Sequence, residues 1–291
     1  MRIQAMMTAL KWIGVALLAV LAVAGIVLAG GMAAFDRRIQ TEVRALLSAP
    51  PPADLPVITA EMLAGLPAPI QRHLTYAGVV GQPVVHSVRL KQTGRFRTGV
   101  DQAWMDYRAE QYYTVDQPGF IWDATFAQAG VPFLKVRDRY VQGKGSILGK
   151  LGGLLTIAEA QGDDLDQGAM LRYLNEMMWF PQAYLGDNIT FTPVDDGSAQ
   201  VTLTDQGKSV TATLYIDAEG KMTDFVAERY FEAGDAYYPW STPIFAYGEF
   251  NGLRLPSRGQ GVWKLPDGDF AYIDLVIPEL EYNIRAPFGA E

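Results

Sequence analysis

The stretch VTLTDQGKSVTATLYI, residues 201–216, decides the fold class because it contains a complete β-hairpin signal. Apolar residues alternate with threonines from Val201 and again from Val210, and this period of two is typical of a strand with one buried and one polar face. Gln206-Gly207 interrupts the alternation, and a glycine suits the positive φ angles of a tight hairpin turn. The stretch therefore predicts two antiparallel strands joined by a short turn.

The same pattern continues on both sides of this hairpin, between Val84 and Ile284, for example from Phe120 to Phe126. Further turn signals are Asp195-Asp196-Gly197, Asn251-Gly252 and Asp267-Gly268. Strands joined by short turns form an antiparallel meander, because parallel strands need long crossover connections. A sheet of this size curls through its own twist. We therefore expect an α+β domain built on a large curved antiparallel sheet, an unclosed half-barrel.

One helix interrupts the predicted meander, from residue 164 to residue 180. Asp163 or Asp164 can cap its start, and Pro181 ends it. Its apolar residues recur at helical spacing and form a broad face: Met170, Leu171, Leu174, Met177 and Met178. We expect this face to pack on the concave side of the sheet.

An apolar segment precedes the predicted domain. No charged residue occurs in the 24 residues of segment 12–35. Because roughly 20 apolar helical residues cross a bilayer, the segment predicts a transmembrane anchor behind a cytoplasmic n-region of residues 1–11. A cleaved signal peptide is the alternative, with Gly31, Ala33 and Ala34 near the cut, although a signal core is usually only about 7–15 residues long.

Short helices and a linker are predicted between the anchor and the domain, in residues 36–65. Residues 36–48 have the apolar spacing of an amphipathic helix. The prolines at positions 50–52 predict a stiff extended linker. Thr59 can cap a further short helix.

The β-rich domain is expected at residues 66–291, where it begins with a helix from Leu66 to Ala77. We expect the N-terminus in the cytoplasm because it is too short to be a domain, and the β-rich domain is then exported, although the basic residues flanking the anchor are nearly balanced. Because Arg2 and Lys11 precede the domain, 22 basic residues stand against 32 acidic ones after the anchor, a net charge of −10. Nucleic acid, which is bound through clustered Lys and Arg, is therefore excluded as a partner.

The sequence lacks the motifs of most catalytic and metal-binding sites. The chain has no Cys, two His and no Gly-x-Ser-x-Gly elbow. His73 and His86 are interpreted as surface or capping residues. The acidic run 163–166 lacks calcium-loop spacing and is interpreted as helix-capping carboxylates, and the stretch 143–150 lacks P-loop spacing and predicts a glycine-rich hairpin. We expect no metal site, no cofactor and no catalytic residue.

Two features indicate a binding site instead. Alternation places Arg137 and Arg139 on one face of a strand and Asp138 on the other, where a buried carboxylate would need a partner. Aromatic and Met side chains are plentiful enough to line the concave face and hold an apolar ligand, or simply to fill the core. The candidate ligand-binding residues are Arg137, Asp138, Tyr140, Trp122, Glu176, Trp179, Glu228, Tyr238 and Trp240.

Several short motifs, taken as a set, carry a family resemblance. They include Leu66-Pro67-Ala68-Pro69, Tyr76-Ala77-Gly78, Gln92-Thr93-Gly94, Arg137-Asp138-Arg139-Tyr140, Trp179-Phe180-Pro181, Pro239-Trp240 and Leu265-Pro266-Asp267-Gly268-Asp269-Phe270. From about Leu66 to Asn283 the chain resembles a bacterial membrane-anchored family catalogued only as a domain of unknown function. More distantly, its strand-and-helix plan resembles the unclosed barrel of LolA- and LolB-type lipoprotein carriers and of the sensor RseB. The resemblance implies a LolA-like half-barrel in the bacterial cell envelope, and it implies no activity.

These expectations favour one function and leave two alternatives. The favoured function is an extracytoplasmic module that is anchored in the bacterial inner membrane through residues 12–35 and binds a lipid or other apolar ligand. One alternative is a scaffold or sensor that binds another envelope protein and has a concave face filled by its own side chains. The other is a hydrolase that uses Asp138, Glu176 or Glu228, which would need two carboxyl groups about 5–9.5 Å apart in a cleft.

Overall fold

The computed structural model describes residues 2–50 and 55–289, and a 14-stranded antiparallel sheet makes up most of the domain. The strands are β1 Ser87–Phe96, β2 Met105–Thr114, β3 Gly119–Gln128, β4 Val131–Val141, β5 Lys144–Leu151, β6 Leu155–Ala160, β7 Ile189–Asp195, β8 Ser198–Asp205, β9 Lys208–Ile216, β10 Met222–Phe231, β11 Ala236–Ser241, β12 Ile244–Phe250, β13 Leu253–Leu265 and β14 Gly268–Tyr282. The helices are α1 Arg2–Leu46, α2 Ala68–Ala77 and α3 Asp163–Glu176, with short 3-10 turns at Ala60–Leu63, Met177–Trp179, Pro181–Leu185 and Glu232–Gly234.

The strands pair in the order β6-β5-β4-β3-β2-β1-β14-β13-β11-β10-β9-β8-β7, and β12 joins β13 beside this path. Most neighbours in the sheet are also neighbours along the chain, as in a meander, and the two halves meet where β1 pairs with β14. Helix α3 contacts β4 and β5 near one edge of the sheet and β9 and β10 near the other. The sheet must therefore curl around this helix. The predicted half-barrel with a helix on its concave side is confirmed.

The predicted turn signals all lie between paired strands. Gln206 and Gly207 join β8 to β9 with φ angles of 47° and 74°, and Asn251 and Gly252 join β12 to β13 with φ angles of 50° and 79°. Left-handed φ angles of this kind match the twist of the flanking strands, and glycine adopts them without steric cost. The other two signals join β7 to β8 and β13 to β14. The stretch 143–150 is a tight turn followed by β5, as predicted.

The helices differ from expectation at their boundaries. Residues 36–48 do not form a separate amphipathic helix, because α1 continues from the apolar segment without a break to Leu46. The first helix of the domain begins at Ala68 instead of Leu66. In the predicted proline linker, residues 51 and 52 lie outside the described residues.

The start of α3 also differs from expectation. Gly162 occupies the position before the first helical residue, so neither Asp163 nor Asp164 is the cap. The carboxylate that matters is Asp166, which is buried. It accepts hydrogen bonds from the Gly145 N–H (2.8 Å), Lys144 Nζ (2.8 Å) and Lys208 Nζ (3.1 Å). The acidic run therefore fastens α3 to the β4–β5 and β8–β9 hairpins.

The last third of α1 packs on the outer, convex face of the sheet. Phe35, Ile39 and Val43 recur every four residues and are buried, because this spacing keeps them on one side of a helix. With Leu47 they form a second core against Tyr112, Ile121 and Leu148 of β2, β3 and β5. We call this contact the outer core.

Ion pairs flank the outer core. Asp36 of α1 lies 2.6 Å from Lys135 Nζ, and Glu42 lies 3.3 Å from Arg137 Nη1. Lys135 and Arg137 are both buried in β4. Charges and apolar contacts therefore hold the same stretch of α1 against the domain.

The earlier part of α1 is apolar and exposed. From Leu10 onward the helix is long and apolar enough to cross a membrane, and an 18-residue stretch of it has a mean hydropathy of 2.7. Leu17, Leu21 and Ile26 are all exposed. This part of the helix therefore has no place in either protein core.

The two histidines are buried, so the prediction of surface or capping positions is wrong for both side chains. His73 of α2 lies with its Nδ1 3.0 Å from the carbonyl oxygen of Gly220, in the turn before β10. His86 precedes β1, and its ring contacts the carboxylate of Asp116. The ring of His73 therefore links α2 to a turn that is distant in sequence. The ring of His86 links the residue before β1 to the β2–β3 turn.

Acidification should destabilise the parent protein more than a His73→Gln variant, which keeps a donor for the Gly220 carbonyl. Burial lowers the pKa of His73 below its ordinary value of 6.5, so the folded state binds fewer protons than the unfolded state below that pH. The stability that depends on neutral His73 is present above this value and is lost as the pH falls through it. Urea unfolding at about pH 8 and about pH 5.5 measures the difference. An equal loss in the two proteins would contradict this role of His73.

Candidate functional site

A cavity of about 770 Å³ lies on the concave side of the sheet beside α3. Strand β4 shows how the sequence builds its wall. Leu134, Val136 and Asp138 line the cavity, whereas the intervening Lys135 and Arg137 lie on the outer face and pair with α1. Alternate residues of a strand share a face, so one strand supplies both the cavity and the outer core.

The lining is mostly aromatic and aliphatic. On the β1–β3 side, Trp122 packs edge-on against Phe126, and Phe126 against Phe96, with ring centroids 6.2 and 5.5 Å apart. On the β10–β13 side, Phe231 and Trp263 lie 4.9 Å apart. Aromatic rings bury large apolar areas and hold each other in defined geometries. The cavity is therefore a preformed apolar space with firm walls.

A polar cluster around Arg172 interrupts the apolar lining. Arg172 of α3 donates from Nη1 to Asp138 (2.7 Å) and from Nε to Glu176 (2.9 Å). Glu176 also accepts hydrogen bonds from Gln111 Nε2 (2.6 Å) and the Tyr113 hydroxyl (3.1 Å). Burial raises the pKa of Glu176, while the neighbouring Arg172 acts in the opposite direction. We call these residues the Arg172 cluster.

Neighbouring amides extend the Arg172 cluster toward the aromatic wall. Gln92 accepts a hydrogen bond from the Trp122 indole (3.0 Å) and donates one to Gln111 (3.0 Å). Asp138 Oδ2 is bound by Arg172, whereas its Oδ1 is buried without a hydrogen-bond partner among the described residues. The cluster thus pairs one guanidinium with two carboxylates and retains one unused acceptor in the cavity wall.

A second arginine lies at the cavity without a carboxylate. The guanidinium of Arg229 stacks over Trp240 and Trp263, with 4.6 and 5.7 Å to their ring centroids. Within the described part of the chain, no acidic side chain lies within ion-pairing distance of it. The absence of a side chain at Gly168 of α3 provides the space for the Arg229 guanidinium, since a Cβ there would lie 3.1 Å from Arg229 Nε. Cation–π contacts therefore hold a positive charge against the apolar lining.

The structure brings five of the predicted residues together at the cavity. Trp122, Asp138, Glu176, Trp179 and Trp240 all line it. They come from β3, β4, α3, the turn after α3, and β11. The concave side of the half-barrel therefore collects residues that are far apart in sequence.

The other four predicted residues do not line the cavity. Arg137 is on the outer face, paired with Glu42. Tyr140 is buried and donates to Asp205 at 2.7 Å, away from the cavity. Glu228 is exposed, and Tyr238 packs edge-on against Phe231.

Arg172, Arg229 and Gln92 were not predicted. Arg172 precedes Glu176 by four residues on the same helix, so the spacing of an i,i+4 ion pair was visible in the sequence. The stacking of Arg229 depends on pairing between β10, β11 and β13. No local pattern carries that information.

A model of DUF6544, a family of unknown function, matches residues 56–275. The expected resemblance to a domain of unknown function is confirmed. No curated protein sequence matches the chain.

Several solved structures are similar to this chain at low sequence identity. A DUF1329 family protein from Desulfovibrio piger is 11% identical with a TM-score of 0.44, covering 75% of this chain and 92% of that one. A LolA superfamily protein from Nitrosomonas europaea is 10% identical with a TM-score of 0.41, covering 78% and 94%. A domain named as an outer membrane lipoprotein-sorting protein from Vibrio parahaemolyticus is 9% identical with a TM-score of 0.40, covering 71% and 87%. Similarity at this level concerns the fold alone.

Proposed function

We propose that this chain, which belongs to the family of unknown function DUF6544, is a membrane-anchored module that binds a lipid or other apolar ligand. The observation that carries the proposal is the cavity of about 770 Å³ on the concave face. Ligand sites in proteins are usually preformed, mostly apolar spaces of about 300–1,000 Å³ with a few placed polar groups. This cavity has that size and lining.

The polar groups restrict the kind of ligand. The positive charge of Arg172 is offset by Asp138 and Glu176, so Arg172 offers a ligand hydrogen-bonding groups and no net positive charge. Among the residues that the structure describes, Arg229 has only aromatic partners at the cavity. An apolar chain in the cavity, with a polar end near Arg229, satisfies both features.

Anchoring is the second part of the proposal, and the exposed apolar part of α1 supports it. A long helix with exposed Leu, Val and Ile side chains is costly in water and favourable in hydrocarbon. With the short N-terminal side in the cytoplasm, the chain would be a single-pass protein of the bacterial inner membrane, and its domain would face the periplasm or the exterior.

The two alternative functions have less support. A scaffold or sensor would have a concave face filled by its own side chains, whereas this face contains a cavity. A carboxylate-based hydrolase would need a free acid and base, whereas Asp138 and Glu176 share one arginine and Glu228 is exposed outside the cavity.

A soluble chain of residues 34–291 should retain lipid after purification without detergent, and Leu134→Trp with Val136→Trp should abolish the retention. Both side chains line the cavity, and indole rings there would occupy the space of the ligand. Native mass spectrometry and mass spectrometry after organic extraction measure the bound species. Residues 34–50 are kept because they supply the outer core.

The matched control is Tyr215→Trp, an exposed position on β9 away from the cavity. It should retain as much lipid as the parent. Binding of the fluorescent fatty acid parinaric acid gives an independent measurement. If the parent contains no lipid and parinaric acid does not bind, the proposed function is wrong.

A further inference from the structure

The cavity lies at one end of the half-barrel. Strand pairing aligns Phe96 with Met105, Phe126 with Leu134, and Leu134 with Leu151. Phe96, Met105, Phe126 and Leu134 line the cavity, and each lies within three residues of the end of its strand. The β1–β2, β3–β4 and β5–β6 turns therefore surround the cavity at this end, which we call the cavity end.

Helix α1 crosses the outer face toward the same end. The last residue of α1, Leu46, contacts Gly119, where β3 begins, at the end of the sheet opposite the cavity. Glu42 then reaches Arg137 in the middle of β4, and Asp36 reaches Lys135 nearer the cavity end. Followed toward its N-terminus, α1 therefore passes the cavity end and continues as the exposed apolar helix.

The β5–β6 turn touches α1 within that apolar helix. A Cβ on Gly153 would lie 2.5 Å from the carbonyl oxygen of Gly31, and a Cβ on Gly31 would lie 2.6 Å from the carbonyl oxygen of Gly152. Only glycines allow two backbones to approach so closely. The β5–β6 turn therefore packs against the apolar helix at a defined position along α1, at Gly31.

The tips of the β3–β4 and β5–β6 hairpins, at the cavity end, are apolar and exposed. Leu154, Leu155 and Ile157 beside the β5–β6 turn are 49%, 63% and 55% exposed, and Val131 at the β3–β4 turn is 65% exposed. Strand β6 is also an edge of the sheet, where soluble proteins usually place charges instead. Ile157 lines the cavity as well, so the apolar tips are continuous with its mouth.

The distance along α1 between Gly31 and Asp36 matches the thickness of the headgroup layer of a bilayer. Gly31 precedes Asp36 by five residues, about 7.5 Å along a helix that rises about 1.5 Å per residue. A bilayer of about 40–45 Å has a hydrocarbon core of about 30 Å, which leaves about 5–7.5 Å of headgroup layer on each side. With Asp36 at the outer surface, the β5–β6 turn lies at the border of the hydrocarbon.

We propose that the apolar tips of the β3–β4 and β5–β6 hairpins insert into the leaflet next to the domain, and that the mouth of the cavity therefore opens onto this leaflet. An apolar ligand then enters the cavity from the bilayer without crossing water. This inference rests on the proposed anchoring by α1. It adds a membrane-facing surface and the direction of ligand entry.

The test uses the full chain in phosphatidylcholine nanodiscs and a single environment-sensitive label. Because the chain has no Cys, one engineered Cys takes one NBD fluorophore. The variants are Val131→Cys and Leu154→Cys at the tips, Val194→Cys in the β7–β8 hairpin at the opposite end, and Leu17→Cys in the apolar helix. Quenching is measured for the hairpin tips with phosphatidylcholine that carries a nitroxide near the headgroup, and for Leu17→Cys with phosphatidylcholine that carries the nitroxide deep in its acyl chain.

Labels at Val131→Cys and Leu154→Cys should show blue-shifted emission and lose fluorescence to the nitroxide lipid, whereas the label at Val194→Cys, which is similarly exposed, should not. Quenching at Leu17→Cys but not at the two tips would overturn this inference and leave the proposed anchoring intact. Loss of quenching at Leu17→Cys would instead overturn the anchoring itself. Lipid retention in the cavity is measured separately, so failure of ligand binding is distinguishable from both.

Discussion

Replacing Arg172 with methionine is expected to lower the unfolding free energy of the domain by about 3–5 kcal/mol, because it leaves buried carboxylates without their counter-charge. Arg172 is the partner of both Asp138 and Glu176, at 2.7 and 2.9 Å. Both carboxylates are buried in the cavity wall. Urea unfolding of residues 34–291, followed by tryptophan fluorescence, measures the loss.

A triple variant separates lost charge compensation from lost packing. Adding Asp138→Asn and Glu176→Gln to Arg172→Met removes the uncompensated charges and should recover most of the stability. Met keeps much of the apolar volume of the arginine stem, so the remaining loss reports the hydrogen bonds. If the single variant unfolds at the same urea concentration as the parent, Arg172 is not what stabilises this wall.

The second large effect is expected at the outer core. Ile39→Ala should cost about 2–5 kcal/mol and Phe35→Ala about 3–5 kcal/mol, the usual range for emptying a buried aliphatic or aromatic site. Ile39 is fully buried and Phe35 nearly so, against side chains of the sheet. Urea unfolding gives the loss, and hydrogen exchange of residues 35–47 shows whether this part of α1 leaves the sheet.

Arg37→Ala and Arg44→Ala are matched controls on the exposed side of the same helix. Surface substitutions of this kind usually change stability by less than about 0.5 kcal/mol. Faster exchange in 35–47 for Ile39→Ala, but not for the controls, is the expected pattern. Equal behaviour of all four variants would show that α1 does not depend on the outer core.

Strand periodicity and turn chemistry were sufficient to predict the sheet. The alternation in 201–216 and the Asn251-Gly252 turn depend on neighbours within a few residues, and the structure has strands and hairpins there. Alternation also placed Arg137 and Asp138 on opposite faces, and their partners Glu42 and Arg172 do lie on opposite sides of the sheet.

Long-range pairing limited what could be predicted of the site. Arg137 was grouped with the ligand-binding residues because it belongs to a charged stretch of a predicted strand, yet its face of the sheet is occupied by α1. The stacking of Arg229 on Trp240 and Trp263 requires β10, β11 and β13 to be adjacent in the sheet. The continuous α1 was missed because the charges from Asp36 onward indicated a new segment, although these charges pair with the sheet.

The contact between α1 and the sheet also decides how far the domain can travel. The helix meets the sheet at residues 31–47, before the chain reaches residues 51–54. The segment 51–54 therefore does not separate the domain from the apolar helix, and lengthening it would give the domain no extra reach. In an anchored chain, no flexible segment then lies between the apolar helix and the sheet, because α1 is continuous and packs directly on the sheet. Under the proposed function, the domain therefore stays beside the membrane, and any protein that exchanges a ligand with it must come to the membrane surface.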